Sequence, residues 1–386
     1  HCRSRTDVTT ADTLGQKEMI NGSFTSVDTE MMARALKLAR NGFYSAHPNP
    51  RVGCVVIKEG NVVGEGYHLR AGEPHAEIIA LKAAGANAKG STVYVSLEPC
   101  SHYGNTPPCS EALINAGVGE VVAAMIDPNP EVAGGGCNKL RDAGVKVRVG
   151  LLDASAAKLN EGFFFRITHG RPFVRLKIAA SLDGATAMAS GDSQWITGEA
   201  ARQDVQKLRA SSGAIMTGVG TVLADDPSLT VRDVSFRISG QQPLRVVVDS
   251  RLRMSPASRM LSLDGDTLVF CIDDSNKRAL DRAGAAVIKV SPSDNRTSLI
   301  EVLQELAAME INDVLVEAGS SLVGNLISDE LVDEFVIYQA PHLMGSRTRR
   351  MVESPNWLTL ADRRALEIMD LRKFGDDLRI IARPAN

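Results

Sequence analysis

Three short stretches carry residues able to do chemistry together: Pro74-His75-Ala76-Glu77, Glu98-Pro99-Cys100 and Pro107-Pro108-Cys109. A catalytic zinc ion needs about three protein ligands and one open position for water. His75, Cys100 and Cys109 supply one imidazole and two thiolates, which is such a set. Zinc lowers the pKa of its water to about 7, so hydroxide becomes available at neutral pH. Glu77 follows the histidine closely enough to reach that water without ligating the metal, as general acid and base. A lone histidine is most often a satisfied side chain, and a lone cysteine a small buried hydrophobe. Cys54, Cys137 and Cys271 are read that way, whereas His75, Glu77, Cys100 and Cys109 together are read as a metal centre.

Regular elements must hold these residues. The pattern predicts a helix over 28–39 with Asp28 as N-cap, a strand over 52–57, a turn over 59–61 and a returning strand from Val62. A helix over 74–84 follows, with His75 in its first turn. Next come a strand over 92–97, a helix over 110–116, a strand over 121–125, a helix near Leu140 and a strand over 145–149. Such alternation indicates a layered α/β domain with a largely parallel sheet. Residues 151–171 read as a joining segment with one short helix over 156–159. A second α/β series has strands over 173–179, 214–218, 244–248, 267–271, 313–316 and 335–338, with helices over 200–210, 298–308 and 321–327. The expected division is therefore a first domain over 27–150, a linker over 151–171 and a second domain over 172–386.

Composition agrees with two soluble domains. The chain has 386 residues, 44% hydrophobic and 23% charged, with a net charge of −3. Disorder throughout and a small disulfide scaffold are excluded. An acidic balance disfavours duplex nucleic acid, whose affinity rests on neutralised phosphates, and no apolar run of about 18 residues spans a membrane. Six cysteines in so long a chain suggest a reducing, cytoplasmic setting. Residues 1–26 are polar and read as a disordered or expression-derived extension.

His-x-Glu on one helix and Pro-Cys before the next is the arrangement of zinc-dependent nucleobase deaminases. Those enzymes commonly place two residues between the cysteines, whereas eight intervene here. With that longer loop, His47-Pro48-Asn49-Pro50, Gly66-Tyr67-His68, His75-Ala76-Glu77, Glu98-Pro99-Cys100-Ser101-His102 and Thr106-Pro107-Pro108-Cys109 resemble the deaminase half of a known bifunctional family. That family fuses diaminohydroxyphosphoribosylaminopyrimidine deaminase to 5-amino-6-(5-phosphoribosylamino)uracil reductase, in riboflavin biosynthesis. Asp127-Pro128-Asn129-Pro130 and Val132-Ala133-Gly134 fit it as well. The resemblance implies a cytidine-deaminase-like α/β/α layered domain, with Asn49 and His68 contacting the pyrimidine nucleotide.

In the second half the residues alone say less. Val316-Glu317-Ala318-Gly319-Ser320-Ser321 runs from strand to helix, where backbone N–H groups can meet a phosphate; a plain tight turn is the alternative. No G-x-G-x-x-G opens a helix after a first strand. Ser181-Leu182-Asp183-Gly184, the run 186–197 and Ala224-Asp225-Asp226-Pro227 resemble the reductase half of the same family. The resemblance implies a dihydrofolate-reductase-like α/β domain that transfers hydride from NADPH to the opened ribose. By the same resemblance Ala179, Trp195, Thr197, Thr221, Asp225, Ser250 and the turn Gly319, Ser320, Ser321, Leu322, Val323, Gly324 and Asn325 contact the cofactor. Ser193, Arg209, Leu229, Arg232 and Glu317 hold the phosphorylated substrate, and the reductase half is where copies of the chain associate.

Three positions depart from the family. Asn105 and Ala185 stand where Arg or Lys is usual, and Gly135 where a basic residue is common. A hydrogen bond to a charged group contributes about 1.5–3 kcal/mol, so weaker substrate grip is expected unless neighbouring Arg and Lys compensate. Alternative readings are a catalytically weakened homologue acting as a binding or scaffold protein, and a nucleic-acid-editing deaminase.

Overall fold

The hydroxyl of Thr25 accepts the Asp28 N–H at 3.1 Å, and the Asp28 carboxylate accepts the Thr25 N–H at 2.7 Å. This reciprocal cap opens helix α1 (Ser26–Ala39), so Thr25, not Asp28, is the N-cap. The Asp28 carboxylate also accepts from the Tyr94 hydroxyl at 2.7 Å and from Arg148 at 2.9 and 3.0 Å. The computed structural model describes residues 23–102, 107–129, 132–237, 240–353 and 357–385. Two compact units divide between Phe164 and Phe165.

After α1 the first unit runs through β1 (Gly53–Lys58), β2 (Asn61–Tyr67), α2 (Ala76–Ala84), β3 (Thr92–Val95), α3 (Cys109–Asn115), β4 (Glu120–Ala123), α4 (Gly135–Asp142), β5 (Lys146–Val149) and α5 (Asp153–Leu159). Helix α6 (Glu161–His169) crosses the division. The sheet order is β2-β1-β3-β4-β5. It is mixed, which corrects the largely parallel sheet expected. Glu59 and Gly60 both have positive φ, the turn that sends β2 back antiparallel along β1. Strand β1 also runs antiparallel to β3, and only β3, β4 and β5 are parallel.

Alternation along the strands sorts the two faces. Val55, Tyr94 and Val122 meet Met31, Met32, Ala35 and Leu36 of α1. Val56, Val93, Val95, Val121 and Ala123 meet Ala76 and Ala80 of α2, Leu113 of α3 and Leu140 of α4. Helix α2 lies very close to β2, since a Cβ on Gly64 or Gly66 would sit 2.2 or 2.3 Å from an α2 carbonyl oxygen. Helices α5 and α6 occupy the expected joining segment, where one short helix was expected. Leu151 and Ala156 are buried in the α1 cluster, and Asn160 bonds the Arg51 backbone at 2.7 and 2.9 Å.

The second unit contains β6 (Phe173–Ser181), β7 (Ala185–Met188), α7 (Glu199–Ala210), β8 (Ala214–Gly218), α8 (Val219–Asp225), β9 (Leu244–Val248), β10 (Thr267–Cys271), α9 (Arg278–Arg282) and β11 (Ala285–Lys289). Then follow β12 (Pro292–Ser293), β13 (Arg296–Thr297), α10 (Leu299–Ala308), β14 (Asp313–Val316), α11 (Ser320–Ser328), β15 (Glu334–Ala340), β16 (Thr348–Arg350), β17 (Leu366–Phe374) and β18 (Asp377–Pro384). Nine strands form one sheet in the order β11-β10-β9-β8-β14-β6-β15-β18-β17. All neighbours are parallel up to β15, and β18 and β17 close the edge antiparallel. The hairpin β17–β18 has no counterpart in the sequence reading, because β17 is exposed along most of its length and shows no buried period. Among the described residues no helix is long and apolar enough to cross a membrane.

The buried pair of Asp28 and Arg148 ties α1 to β5. Arg148 holds the Asp28 carboxyl well below the usual carboxylate range, despite burial. A depressed folded pKa contributes stability above the unfolded value of about 3.9 and loses it as pH falls. Arg148→Ala is expected to lower unfolding free energy by about 3 kcal/mol at neutral pH and to weaken the acid dependence below pH about 4. Denaturant unfolding of the full chain across pH 3–7 measures both effects.

Candidate functional site

His75 is the N-cap of α2, with extended φ −69° and ψ 162°, and the helix starts only at Ala76. This corrects its expected place in the first turn. The close packing of α2 on β2 sets its height above the sheet. Cys100 follows β3, and Cys109 is the first residue of α3. The three ligand atoms lie within 4.8 Å of one another. His75 Nδ1 is 3.2 Å from Cys109 Sγ and 3.7 Å from Cys100 Sγ. Tetrahedral zinc with Zn–N of about 2.1 Å and Zn–S of about 2.3 Å requires such pairs to be about 3.6 Å apart. The donor set therefore fits zinc in both chemistry and spacing.

The Cys109 N–H donates to Cys100 Sγ at 3.2 Å, so α3 begins by stabilising a thiolate. Hydrogen bonds from Cys109 and His75 outweigh burial and pull the Cys100 thiol down to about 4. Its neighbour Cys109 is pushed up, because it donates to that thiolate. Glu77 is buried, and burial together with the Cys100 charge pushes its carboxyl up to about 7. Beside the trio, His68 stacks edge-on to His75 with ring centroids 5.3 Å apart. His68 Nε2 is 3.0 Å from Asn49 Nδ2, and its Nδ1 is 3.3 Å from the Pro74 carbonyl oxygen. A proton on Nδ1 satisfies both contacts, and burial holds the ring's pKa below its usual value.

Glu98 stands in the motif, yet the sequence reading assigned it no role. Its buried carboxylate accepts backbone N–H groups from Asp127 at 3.1 Å, Gly134 at 2.9 Å and Cys137 at 3.0 Å. The start of α4 is thereby drawn onto the strand-to-Cys100 turn. A Cβ on Gly136 would lie 1.8 Å from the Pro99 carbonyl oxygen, so only glycine permits this approach. At Gly135 a Cβ would lie 2.9 Å from Ser101 Oγ, so a basic side chain there must displace Ser101. Asn105 lies outside the described residues.

A cavity of about 1710 Å³ opens in the second unit, at the carboxyl ends of β6, β8, β9 and β14. Ligands of open α/β sheets bind at such ends. Drug-sized ligand sites span about 300–1,000 Å³, so this one has room for a dinucleotide and a second ligand. Ala179, Trp195, Thr197, Thr221, Asp225, Ser250, Gly319, Ser320, Ser321, Leu322, Val323 and Asn325 all line it. Gly324 does not; it faces the core from within α11. Ser193, Arg209, Leu229, Arg232 and Glu317 line the same cavity. The Gly319 N–H donates to Thr221 Oγ1 at 3.1 Å, and Ser250 and Thr297 share a hydroxyl bond of 2.8 Å. The start of α11 thus opens into a polar, cationic space that suits a phosphorylated dinucleotide.

Glu317 meets Arg209 through two bonds of 2.6 and 3.0 Å, and Lys177 Nζ lies 3.8 Å away. Burial raises the Glu317 carboxyl, but Arg209 and Lys177 outweigh it and hold it at about 2. Lys177, Arg202, Arg349 and Arg350 also line the cavity and were missed. A lysine inside the apolar strand β6 was the readable signal for the first of them. Ala185 is buried in β7, and Arg350 stands opposite it in register. The expected loss of substrate grip at 185 thus gains no support, since a cation faces that position.

Comparison with known proteins follows the same division. Residues 25–125 match the cytidine and deoxycytidylate deaminase zinc-binding region, and residues 172–380 match the RibD C-terminal domain. The chain is 47% identical to the riboflavin biosynthesis protein RibD of Escherichia coli (strain K12) over 360 residues, covering 91% of this chain and 98% of that protein. Identity to the Haemophilus influenzae RibD is 46% over 370 residues, covering 94% and 98%. Among solved structures, Acinetobacter baumannii RibD superposes with a TM-score of 0.87 at 43% identity, covering 93% of this chain and 99% of that one. A diaminohydroxyphosphoribosylaminopyrimidine deaminase/5-amino-6-(5-phosphoribosylamino)uracil reductase from Thermotoga maritima does so with a TM-score of 0.82 at 32% identity, with the same coverage.

Removing a ligand should empty the metal centre. His75→Ala and Cys100→Ala are each expected to reduce bound zinc from about one ion per chain to under about a tenth, because a third protein ligand is lost. Metal analysis of the purified full chain tests this, and full occupancy in either variant would refute the assignment.

Proposed function

The chain belongs to the RibD family of riboflavin-biosynthesis enzymes, bifunctional in deamination and NADPH-dependent reduction, and from that premise we propose how its residues divide the two reactions. The first unit removes ammonia from the diaminopyrimidine ribosyl phosphate; the second reduces the ribosyl group of the product to a ribityl chain. The observation that carries this reading is the meeting of His75, Cys100 and Cys109 around a common point, with buried Glu77 alongside.

His75, Cys100 and Cys109 would hold zinc, which would supply the Lewis acidity that makes water a nucleophile near neutral pH. Glu77, buried alongside, would move a proton from attacking water to the departing ammonia. Burial raises its carboxyl above the usual carboxylate range, which suits a group that must accept and then donate. Asn49 and His68 orient the pyrimidine; their mutual contact and the Pro74 carbonyl fix both side chains before the substrate arrives.

In the second unit NADPH supplies the hydride. Thr221, Ser250 and the turn from Gly319 hold the cofactor, with Ala179, Trp195, Thr197 and Asp225 around it. Arg232 offers its guanidinium to substrate phosphate, which such a group meets through two parallel bonds, and Arg209 serves the substrate side by holding Glu317 in place. Glu317 stays ionised across the working pH range and offers a fixed acceptor to a substrate hydroxyl. Ser193 and Leu229 complete the substrate wall.

The reaction belongs in the cytoplasm, and the chain associates with a second copy through the second unit. Edge strand β17 supports that association, because Leu366, Ile368, Met369 and Leu371 are all exposed on it. Ile368→Glu is expected to shift sedimentation from dimer to monomer, and an unchanged wild-type monomer would remove this part of the proposal.

Two assays on one preparation test the reading: ammonia release from the diaminopyrimidine nucleotide, and NADPH oxidation with the aminouracil nucleotide. Glu77→Gln is expected to slow the first by about 10²- to 10⁴-fold and to leave zinc content and the second unchanged. Chelation of zinc should likewise abolish ammonia release alone. Loss of both activities together, in either case, would contradict the division.

A further inference from the structure

The run Ser181-Leu182-Asp183-Gly184 stood out in the sequence without a role. In the fold it is a clasp. The Asp183 carboxylate accepts the N–H groups of Met344 at 3.1 Å and Gly345 at 2.8 Å. The Leu182 N–H donates to the His342 carbonyl at 2.9 Å, and the Met351 N–H to the Gly184 carbonyl at 3.1 Å. Both ends of β16 are thereby tied to the turn that leads into β7. The two strands pair antiparallel as a ribbon separate from the nine-stranded sheet.

Register then decides where charge stands. Ala187 faces Arg349 and Ala185 faces Arg350, with one irregularity between them. The alanines are buried, whereas both arginines are exposed and line the reductase cavity. Among the described residues neither guanidinium has a hydrogen-bond or ion-pair partner; Arg349 acts on Asp225, also in the cavity, only through space. Compare Arg209, whose charge is already taken up by Glu317. Two cations held on a clasped ribbon and left unpaired at a cavity wall are matched by an anion from the ligand.

We propose that Arg350, with Arg349 beside it, binds a phosphate oxyanion of a ligand in the reductase cavity, so that β16 carries the cation absent from β7 at Ala185. Facing residues of an antiparallel pair have Cβ atoms about 4.5–5.5 Å apart. An arginine is longer than that, and Arg350 itself lines the cavity, so its guanidinium stands where β7 offers only the buried Ala185. The phosphate belongs either to NADPH or to the pyrimidine nucleotide. This inference rests on the reductase reading of the second unit.

Direct binding to the zinc-loaded full chain tests it without turnover. NADPH is titrated by its fluorescence, and 5-amino-6-(5-phosphoribosylamino)uracil by calorimetry in the absence of NADPH. Arg350→Ala is expected to weaken one of the two by about 10- to 100-fold, as loss of a charged hydrogen bond implies. Arg350→Lys should retain most of that affinity, since lysine still offers a point charge to phosphate. A loss on NADPH that Lys restores assigns the cofactor phosphate, and a loss on the nucleotide that Lys restores assigns the substrate phosphate. No loss, or a loss that Lys does not restore, overturns the proposal. If the wild-type chain binds neither ligand, it is the reductase reading that fails.

Discussion

A carboxylate taken out of water is costly unless donors meet it within the protein, and each unit is organised around one such group. In the first, Glu98 gathers three backbone N–H groups from the stretch that leads into α4. Those bonds draw the glycine-rich start of α4 onto Pro99 and fix the turn from which Cys100 projects. In the second, Glu317 is held by Arg209 and Lys177 at the mouth of β14. Remove either carboxylate and the neighbouring donors lose their partner, so the site geometry loses its reason to persist.

What these clasps leave uncompensated defines the chemistry. Around His75 two sulfurs and a nitrogen converge, with one thiol already pulled toward its thiolate and a buried carboxyl alongside. Such a group is satisfied by a divalent cation. In the cavity of the second unit the surplus is of opposite sign, since among the described residues neither Arg349 nor Arg350 forms an ion pair. That surplus suits phosphorylated ligands. An overall charge of −3 conceals both local imbalances.

Much of this was legible beforehand because the decisive residues are chemically rare. A histidine, a glutamate and two Pro-Cys pairs cannot easily be mistaken for packing, and strands 244–248 and 267–271 carry the apolar runs Val246-Val247-Val248 and Leu268-Val269-Phe270-Cys271. Other features were illegible for identifiable reasons. The hairpin β17–β18 has little burial, hence no period to read. Asp28 looked like a cap because its type favours caps, whereas its carboxylate is divided among Thr25, Tyr94 and Arg148. The turn at Glu59-Gly60 and its returning strand were readable, but the antiparallel pairing of β1 with β3 is long-range and has no local signal. Gly324 belongs to a turn matched as a unit, yet helical periodicity points it at the core.

By itself the sequence determined which reactive groups exist, the α/β class of both units and the chemistry those groups can perform. Local residue type and spacing suffice for that, since ligand identity and strand or helix period are short-range properties. Tertiary structure alone decided which groups meet. Glu98 found donors 29 to 39 positions away, and Ala185 came to face a cation at 350. No local pattern encodes such meetings, because they arise from register and from the requirement that every buried charge find a partner.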